Sequence, residues 1–118
     1  MFERGDLLLV PFPFSDLSAA KRRPVVALTG PDIHGDFVAL PVTSRPQVEH
    51  GLALAPADLV SGALPVASWI RTDRIVTLNA DLILKTFGRV SESRLAAAIE
   101  RLCTHVGHRA AESAKKKT

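Results

Sequence analysis

The chain has 118 residues, 47% of them apolar and 23% charged, which suits one domain with a modest core and excludes a disordered polymer. No apolar run approaches the ~20 residues that cross a bilayer, and the charged start Met1-Phe2-Glu3-Arg4-Gly5-Asp6 predicts no export leader. Cys103 is the only cysteine, so an intrachain disulfide framework and a cysteine-built zinc site are excluded, and a reducing cytoplasm fits. The net charge of +3 is accounted for by Lys115, Lys116 and Lys117 near the C-terminus. Global basicity is therefore no signal of nucleic-acid binding, and local clustering has to carry any such reading.

Short Val-, Leu- and Ile-rich stretches recur with Gly, Pro or Asp between them, the rhythm of an all-β chain. Candidate strands are 6–12, 24–29, 36–42, 51–55, 66–71, 73–78 and 85–90. Pro11 and Pro13 are expected to end the first strand, because proline cannot donate to a ladder. Residues 15–23 then form a loop of about nine residues with four charges, long for a plain hairpin. Pro31-Asp32-Ile33-His34-Gly35-Asp36 reads as a turn. Only the C-terminal part is helical: Ser91 is the expected N-cap, Glu92 complements the macrodipole, and Leu95, Ala98, Ile99, Leu102 and Val106 form one apolar face. Gly107 terminates it in a left-handed conformation. The pattern implies a strongly curved antiparallel sheet or small barrel with the helix covering one face. Residues 1–108 make up a single domain, and 109–118 a basic, disordered tail.

Three constellations bear on chemistry. In Lys21-Arg22-Arg23-Pro24, the proline restricts Arg23 to extended conformations and so aims its side chain. A fixed guanidinium suits a phosphate, which it can hold through two parallel hydrogen bonds; the alternative is a solvated loop end. In Pro41-Val42-Thr43-Ser44-Arg45-Pro46, two hydroxyls and an arginine at a strand terminus offer donors for an oxyanion or phosphate, or simply cap a turn. In Ser68-Trp69-Ile70-Arg71-Thr72-Asp73-Arg74, alternation puts Arg71 and Asp73 on one face if the strand is continuous. Such a pair is either a structural ion pair or an acid and a base, and Trp69 either fills the core or stacks on a nucleobase. His34, His50, His105 and His108 show no metal-ligand spacing, and no G-x-S-x-G nucleophile motif is present. No metal or cofactor is expected.

Taken together, Arg4-Gly5-Asp6-Leu7-Leu8-Leu9-Val10, Arg23-Pro24-Val25-Val26, Leu40-Pro41-Val42-Thr43-Ser44, Ile70-Arg71-Thr72-Asp73 and the helix after Gly88-Arg89-Val90 resemble the MazF/PemK family of toxin–antitoxin ribonucleases. The resemblance implies a mainly β fold, an SH3-like small barrel of antiparallel strands with a C-terminal α-helix. It also implies a homodimer, a cognate antitoxin partner, no membrane association, and metal-independent cleavage of single-stranded RNA by 2′-hydroxyl attack. Arg23 matches the family's catalytic arginine before proline, and Thr43 the threonine at the scissile phosphate. Arg71 and Asp73 match a pair proposed as acid and base in the plasmid-borne branch. Lys21, Arg22, Ser44, Arg45 and Arg74 are the expected RNA contacts. Since arginine is a poor base, Asp73 is the expected proton acceptor. The chain departs from the family in its first loop, where Ser18-Ala19-Ala20-Lys21 stands in place of a Gly-x-Glu-Gln element that many members carry. Two other functions remain open: a gyrase-poisoning toxin of the same fold, and a catalytically silent nucleic-acid- or protein-binding barrel.

Overall fold

The computed structural model describes residues 2–12, 21–46 and 49–107. Strands β1 (Asp6–Phe12), β2 (Lys21–Ala27), β3 (Asp36–Thr43), β4 (Gly51–Leu54), β5 (Leu59–Gly62), β6 (Ser68–Arg71), β7 (Val76–Asn79) and β8 (Lys85–Val90) precede one helix, α1 (Glu92–His105). They form a curled antiparallel sheet in the order β4-β6-β3-β2-β1-β8-β5, with β7 also paired to β3. The mainly β architecture and the C-terminal helix are those expected.

Period-two alternation gives the sheet two apolar faces. Leu7, Val26, Leu40, Val42 and Ile70 are buried on one, together with Leu95 and Ala98 of α1. Leu8, Val10, Val25, Ala27 and Phe37 are buried on the other, closed by Phe2 and Leu78. The helix is fixed at its start as expected: the Ser91 hydroxyl accepts the Arg94 amide at 3.2 Å. Val106, expected on the apolar face, is instead 69% exposed, because the helix ends at His105 and Gly107 turns left-handed (φ +91°).

Three prolines lie inside strands, and alternation of hydrogen-bonded and non-bonded pairs shows why they are tolerated. Pro24 is opposite Leu9 and Pro11 opposite Arg22, so both belong to the same class of β1–β2 pair. The Leu28 amide donates to the Val38 carbonyl on β3, so by alternation Pro24 also directs its nitrogen toward β3. The class is therefore the non-bonded one, and each nitrogen points away from the β1–β2 seam. On those outer sides β8 stops at Leu9, and the β2–β3 ladder stops at Val25 opposite Pro41. Pro41 then directs its nitrogen to the far edge of β3. There β6 pairs with Val42 and β7 with Ala39, leaving a gap beside Pro41. Each missing donor thus falls where no partner waits. The expectation that Pro11 ends β1 is accordingly corrected, since the strand runs on to Phe12. Strand β2 likewise starts at Lys21 rather than 24, shortening the expected loop. Pro13 and the rest of 13–20, the Lys21 side chain, His108 and 109–118 lie outside the described residues.

The expected strand 73–78 is also corrected. Ile70 pairs with Val42 and Val76 with Ala39, so five residues of the β6–β7 segment span two of β3. The three extra residues expel 72–75 from the ladder. Strand β5 was not anticipated, and it depends on glycine. Gly62 (φ +77°) lies against β8 so closely that a Cβ there would overlap the Phe87 carbonyl and stand 2.5 Å from the Gly88 Cα. Gly62→Ala is therefore expected to cost about 2–4 kcal/mol, lowering the thermal midpoint by roughly 10 °C or more. A fall of under about 2 °C, followed by circular dichroism, would show that β5 does not pack on β8 at this point.

Candidate functional site

Beyond Val25 and Pro41 the β2–β3 ladder ends, and there the molecule opens into a cleft of about 690 Å³. Arg22, Arg23 and Pro24 border it from β2; Val42, Thr43 and Ser44 from the end of β3; Lys85 and Phe87 from β8; and Ala63-Leu64-Pro65-Val66 from the segment after β5, with Leu9 and Ser68 completing it. Consecutive strand residues point to opposite faces. A cleft bordered by three consecutive residues of β2, and by three running off the end of β3, therefore passes around the strand ends rather than lying on one face. Had the ladder continued, Arg23 would fall opposite Thr43. The two sequence motifs expected to carry chemistry thus meet in one place.

Local bonds define what these groups can do. The Thr43 hydroxyl oxygen accepts the Arg45 amide at 3.1 Å, which orients it and leaves its proton to donate outward. Ser68 is buried and donates to the Val66 carbonyl at 2.9 Å, so it holds the 63–66 wall. Among the described residues, Arg22, Arg23 and Lys85 make no ion pair and no Asp or Glu borders the cleft. Several arginines elsewhere are paired: Arg4 with Glu92, Arg89 with Glu3 and Asp6, and Arg94 with Asp58.

Arg71 and Asp73 do not border the cleft. Arg71 closes β6, and Asp73 sits in the expelled segment, where it accepts Nε of Arg71 at 2.9 Å and Nη2 at 2.7 Å. Both side chains are largely buried, 23% and 15% exposed. The bond to Arg71 holds the Asp73 carboxyl below its ordinary value against the opposing effect of burial. A carboxylate so stabilised, with both oxygens engaged, is a weak base. The adjacent Thr72 is also fastened, its amide and hydroxyl both donating to the His50 carbonyl at 2.8 and 3.1 Å. The pair therefore spans the break between β6 and β7.

Of the other expected contacts, Ser44 borders the cleft, whereas Arg45 and Arg74 do not. Trp69 is half-buried along a second, smaller apolar groove of about 520 Å³ with Leu54, Leu59 and Pro65. His34 lies exposed in the 31–36 turn, while His50 and His105 bring their rings to 5.0 Å at the helix end. Among the described residues no group of three or more His, Cys, Asp or Glu is placed to hold a metal ion, and no helix is long and apolar enough to cross a membrane. Lys85 and the 63–66 wall were missed. Only β8's place beside β1 brings Lys85 opposite Leu9, and pairing partners are not written in local sequence.

The Arg71–Asp73 pair gives a pH test. Asp73→Asn should destabilise by about 1 kcal/mol, a charge-assisted pair discounted for partial exposure, or roughly 4–6 °C in thermal midpoint at pH 7. Because the folded state lowers the Asp73 value, its contribution is complete above the ordinary carboxylate range and is lost as pH falls through the lowered value. The difference between parent and variant should begin to narrow below about pH 4 and vanish once pH falls beneath the lowered value. A difference unchanged down to pH 2 would show that charge is not what the pair contributes.

A family model for the PemK-like, MazF-like toxin of type II toxin–antitoxin systems matches residues 3–106. No curated protein sequence matches the chain. Among solved structures it is similar to an endoribonuclease in complex with its cognate antitoxin from a Mycobacterial species, at 19% identity and TM-score 0.72 over 93% of this chain and 99% of that one. The Mycobacterium tuberculosis toxin MazF-mt6 gives 17% and 0.69 over 89% and 99%, and the MazE–MazF complex from Deinococcus radiodurans 19% and 0.69 over 92% and 97%. At such identities the structural likeness speaks for the fold. The family match spans every element described above, from the turn before β1 to the end of α1, and the chain belongs to the PemK-like, MazF-like toxin family of type II toxin–antitoxin systems.

Proposed function

We propose that the chain is the toxin of a toxin–antitoxin pair, a metal-independent endoribonuclease that cuts single-stranded RNA in the cytoplasm as a homodimer and is held in check by a cognate antitoxin. The observation that carries the reading is the cleft itself, where, among the described residues, Arg22, Arg23 and Lys85 make no ion pair and lie with the Thr43 hydroxyl, with no Asp or Glu bordering them. Such a site favours a polyanion. Solved relatives named as endoribonucleases and as antitoxin complexes share the fold.

RNA brings its own nucleophile. The 2′-oxygen attacks phosphorus, the bond to the 5′-oxygen breaks, and the proton leaving the 2′-hydroxyl is matched by one delivered to the departing 5′-oxygen. The products are a 2′,3′-cyclic phosphate and a free 5′-hydroxyl. The protein must align the reacting atoms and stabilise the charge that builds on the phosphorane. In this reading Arg23 spans two phosphoryl oxygens, Thr43 donates to one, and Arg22 and Ser44 hold the flanking backbone. The Arg71–Asp73 pair has a structural part, keeping the end of β3 against β6.

The reading is tested on a defined RNA oligonucleotide. Cleavage should persist with a chelator and stop when the 2′-hydroxyl at the scissile nucleotide is replaced by hydrogen. Arg23→Lys should lose about 10²–10³ in rate, nearly as much as Arg23→Ala, because an ammonium offers a point charge where the guanidinium offers a fork. Thr43→Val should lose a similar factor with an unchanged circular dichroism spectrum. RNA affinity should fall far less in each, since other cations also hold the backbone. Cutting of the deoxy-substituted strand would refute the mechanism. An Arg23→Lys variant as fast as the parent would reduce Arg23 to an electrostatic anchor.

A further inference from the structure

We infer that the β8 side of the cleft is a nucleotide subsite next to the scissile phosphate, in which Lys85 holds a neighbouring phosphate and the ring of Phe87 carries an unstacked base. The inference rests on the ribonuclease reading above and adds two residues that the sequence motifs do not contain. Lys85 lies opposite Leu9 on β1, and Leu9 opposite Pro24 on β2. All three border the cleft, and Leu9 stands between Lys85 and the β2 arginines. The two sets of cations therefore address different parts of a bound strand.

The wall beside Lys85 is apolar, and a phosphate alone has no use for it. Phe87 is half-buried against the core under α1 and borders the cleft with Leu64, Pro65 and Val66, Val66 being 56% exposed. Its position comes from a bulge: Leu7 pairs with Gly88 but Leu8 with Thr86, leaving Phe87 as the extra residue. Bulges re-aim side chains. The close Gly62–Gly88 approach brings the 63–66 wall up to the same place. Cations beside an apolar aromatic wall match the two halves of a nucleotide, an anionic phosphate and a flat π-surface. The cleft's 690 Å³ falls in the range of sites that enclose a whole small ligand.

The test uses the full chain, a single-stranded RNA for turnover, and its uncleavable 2′-O-methyl form for affinity across a potassium chloride series. Lys85→Ala should weaken affinity and raise KM about tenfold while kcat changes less than about threefold. Its log–log salt slope should flatten by about 0.7, one phosphate contact on a single strand. Lys85→Arg should restore that slope, and Arg4→Gln, which removes the same charge from the Glu92 pair, should leave it unaltered. Phe87→Leu keeps an apolar side chain in the core, and thermal melting reports its folding. It should cost about tenfold in affinity, the loss of one stacked base. An unchanged slope in Lys85→Ala overturns the inference. So does a hundredfold fall in kcat at constant KM, which would place Lys85 at the scissile phosphate, or full affinity in Phe87→Leu, which would assign the wall to another partner. Failure of the ribonuclease reading shows separately, as no cleavage by the parent protein, while the 2′-O-methyl affinities still decide the subsite.

Discussion

A proline nitrogen carries no hydrogen, and the position of Pro24 makes that lack decisive. The β2–β3 ladder proceeds through Ala27, Val26 and Val25 and stops where Pro24 would have to donate. Past that point β2 is held only by β1, and the end of β3 only by β6. Two strand ends belonging to different neighbours part, and the cleft occupies the space between them. Arg23 precedes that proline and is confined to extended backbone by it. The residue that opens the cleft thus also aims the guanidinium at its rim.

Electrostatics sharpen what topology places. Where the fold needs a cation for its own stability it supplies a carboxylate or a carbonyl: Arg89 to Glu3 and Asp6, Arg94 to Asp58, Arg101 to the Gly51 carbonyl. Among the described residues the cleft supplies none, and Arg22 and Arg23 on one side and Lys85 on the other border it together with apolar side chains. Like charges held together destabilise the folded chain in proportion to their desolvation. On the proposed reading, a polyanion in the cleft would offset that repulsion. Residues that break a local rule without a local gain mark function more reliably than residues that obey every rule.

What the sequence made legible followed the range of the signal. Strand periodicity, the Ser91 cap and the apolar stripe of α1 are local, and they stand in the structure nearly as read. The prolines were read locally too, and there the reading failed: Pro11 and Pro24 are inside strands because neighbouring ladders stop beside them, a fact about β8 and β3 rather than about either proline. Strand β5 was hidden because Leu59-Val60-Ser61-Gly62 has no alternation, and its pairing relies on two glycines meeting. The Arg23 and Thr43 motifs, which the structure brings to one cleft, each have a local signature. Lys85 has none, being one charged residue on one strand, and acquires meaning only from the two strands beside it.

The Arg71–Asp73 pair shows how position and chemistry can be confused. Strand β3 keeps Thr43 in place solely through Trp69 and Ile70 of β6, and β6 is followed at once by the expelled segment that Arg71 and Asp73 clamp. Thr72, locked onto the His50 carbonyl, ties the same segment to the start of β4, and Arg101 of α1 reaches the next carbonyl along, that of Gly51. Loosening this knot would let the end of β3 move and carry the Thr43 hydroxyl with it. If removing Asp73 lowers activity, the loss has one of two physical origins: a missing proton acceptor or a displaced threonine. They differ in their dependence on pH. A lost base removes a limb of the pH–rate profile, whereas a displaced donor lowers the profile and leaves its shape alone. With both Asp73 oxygens already bonded to Arg71 and no edge of the pair in the cleft, displacement is the origin that the geometry supports.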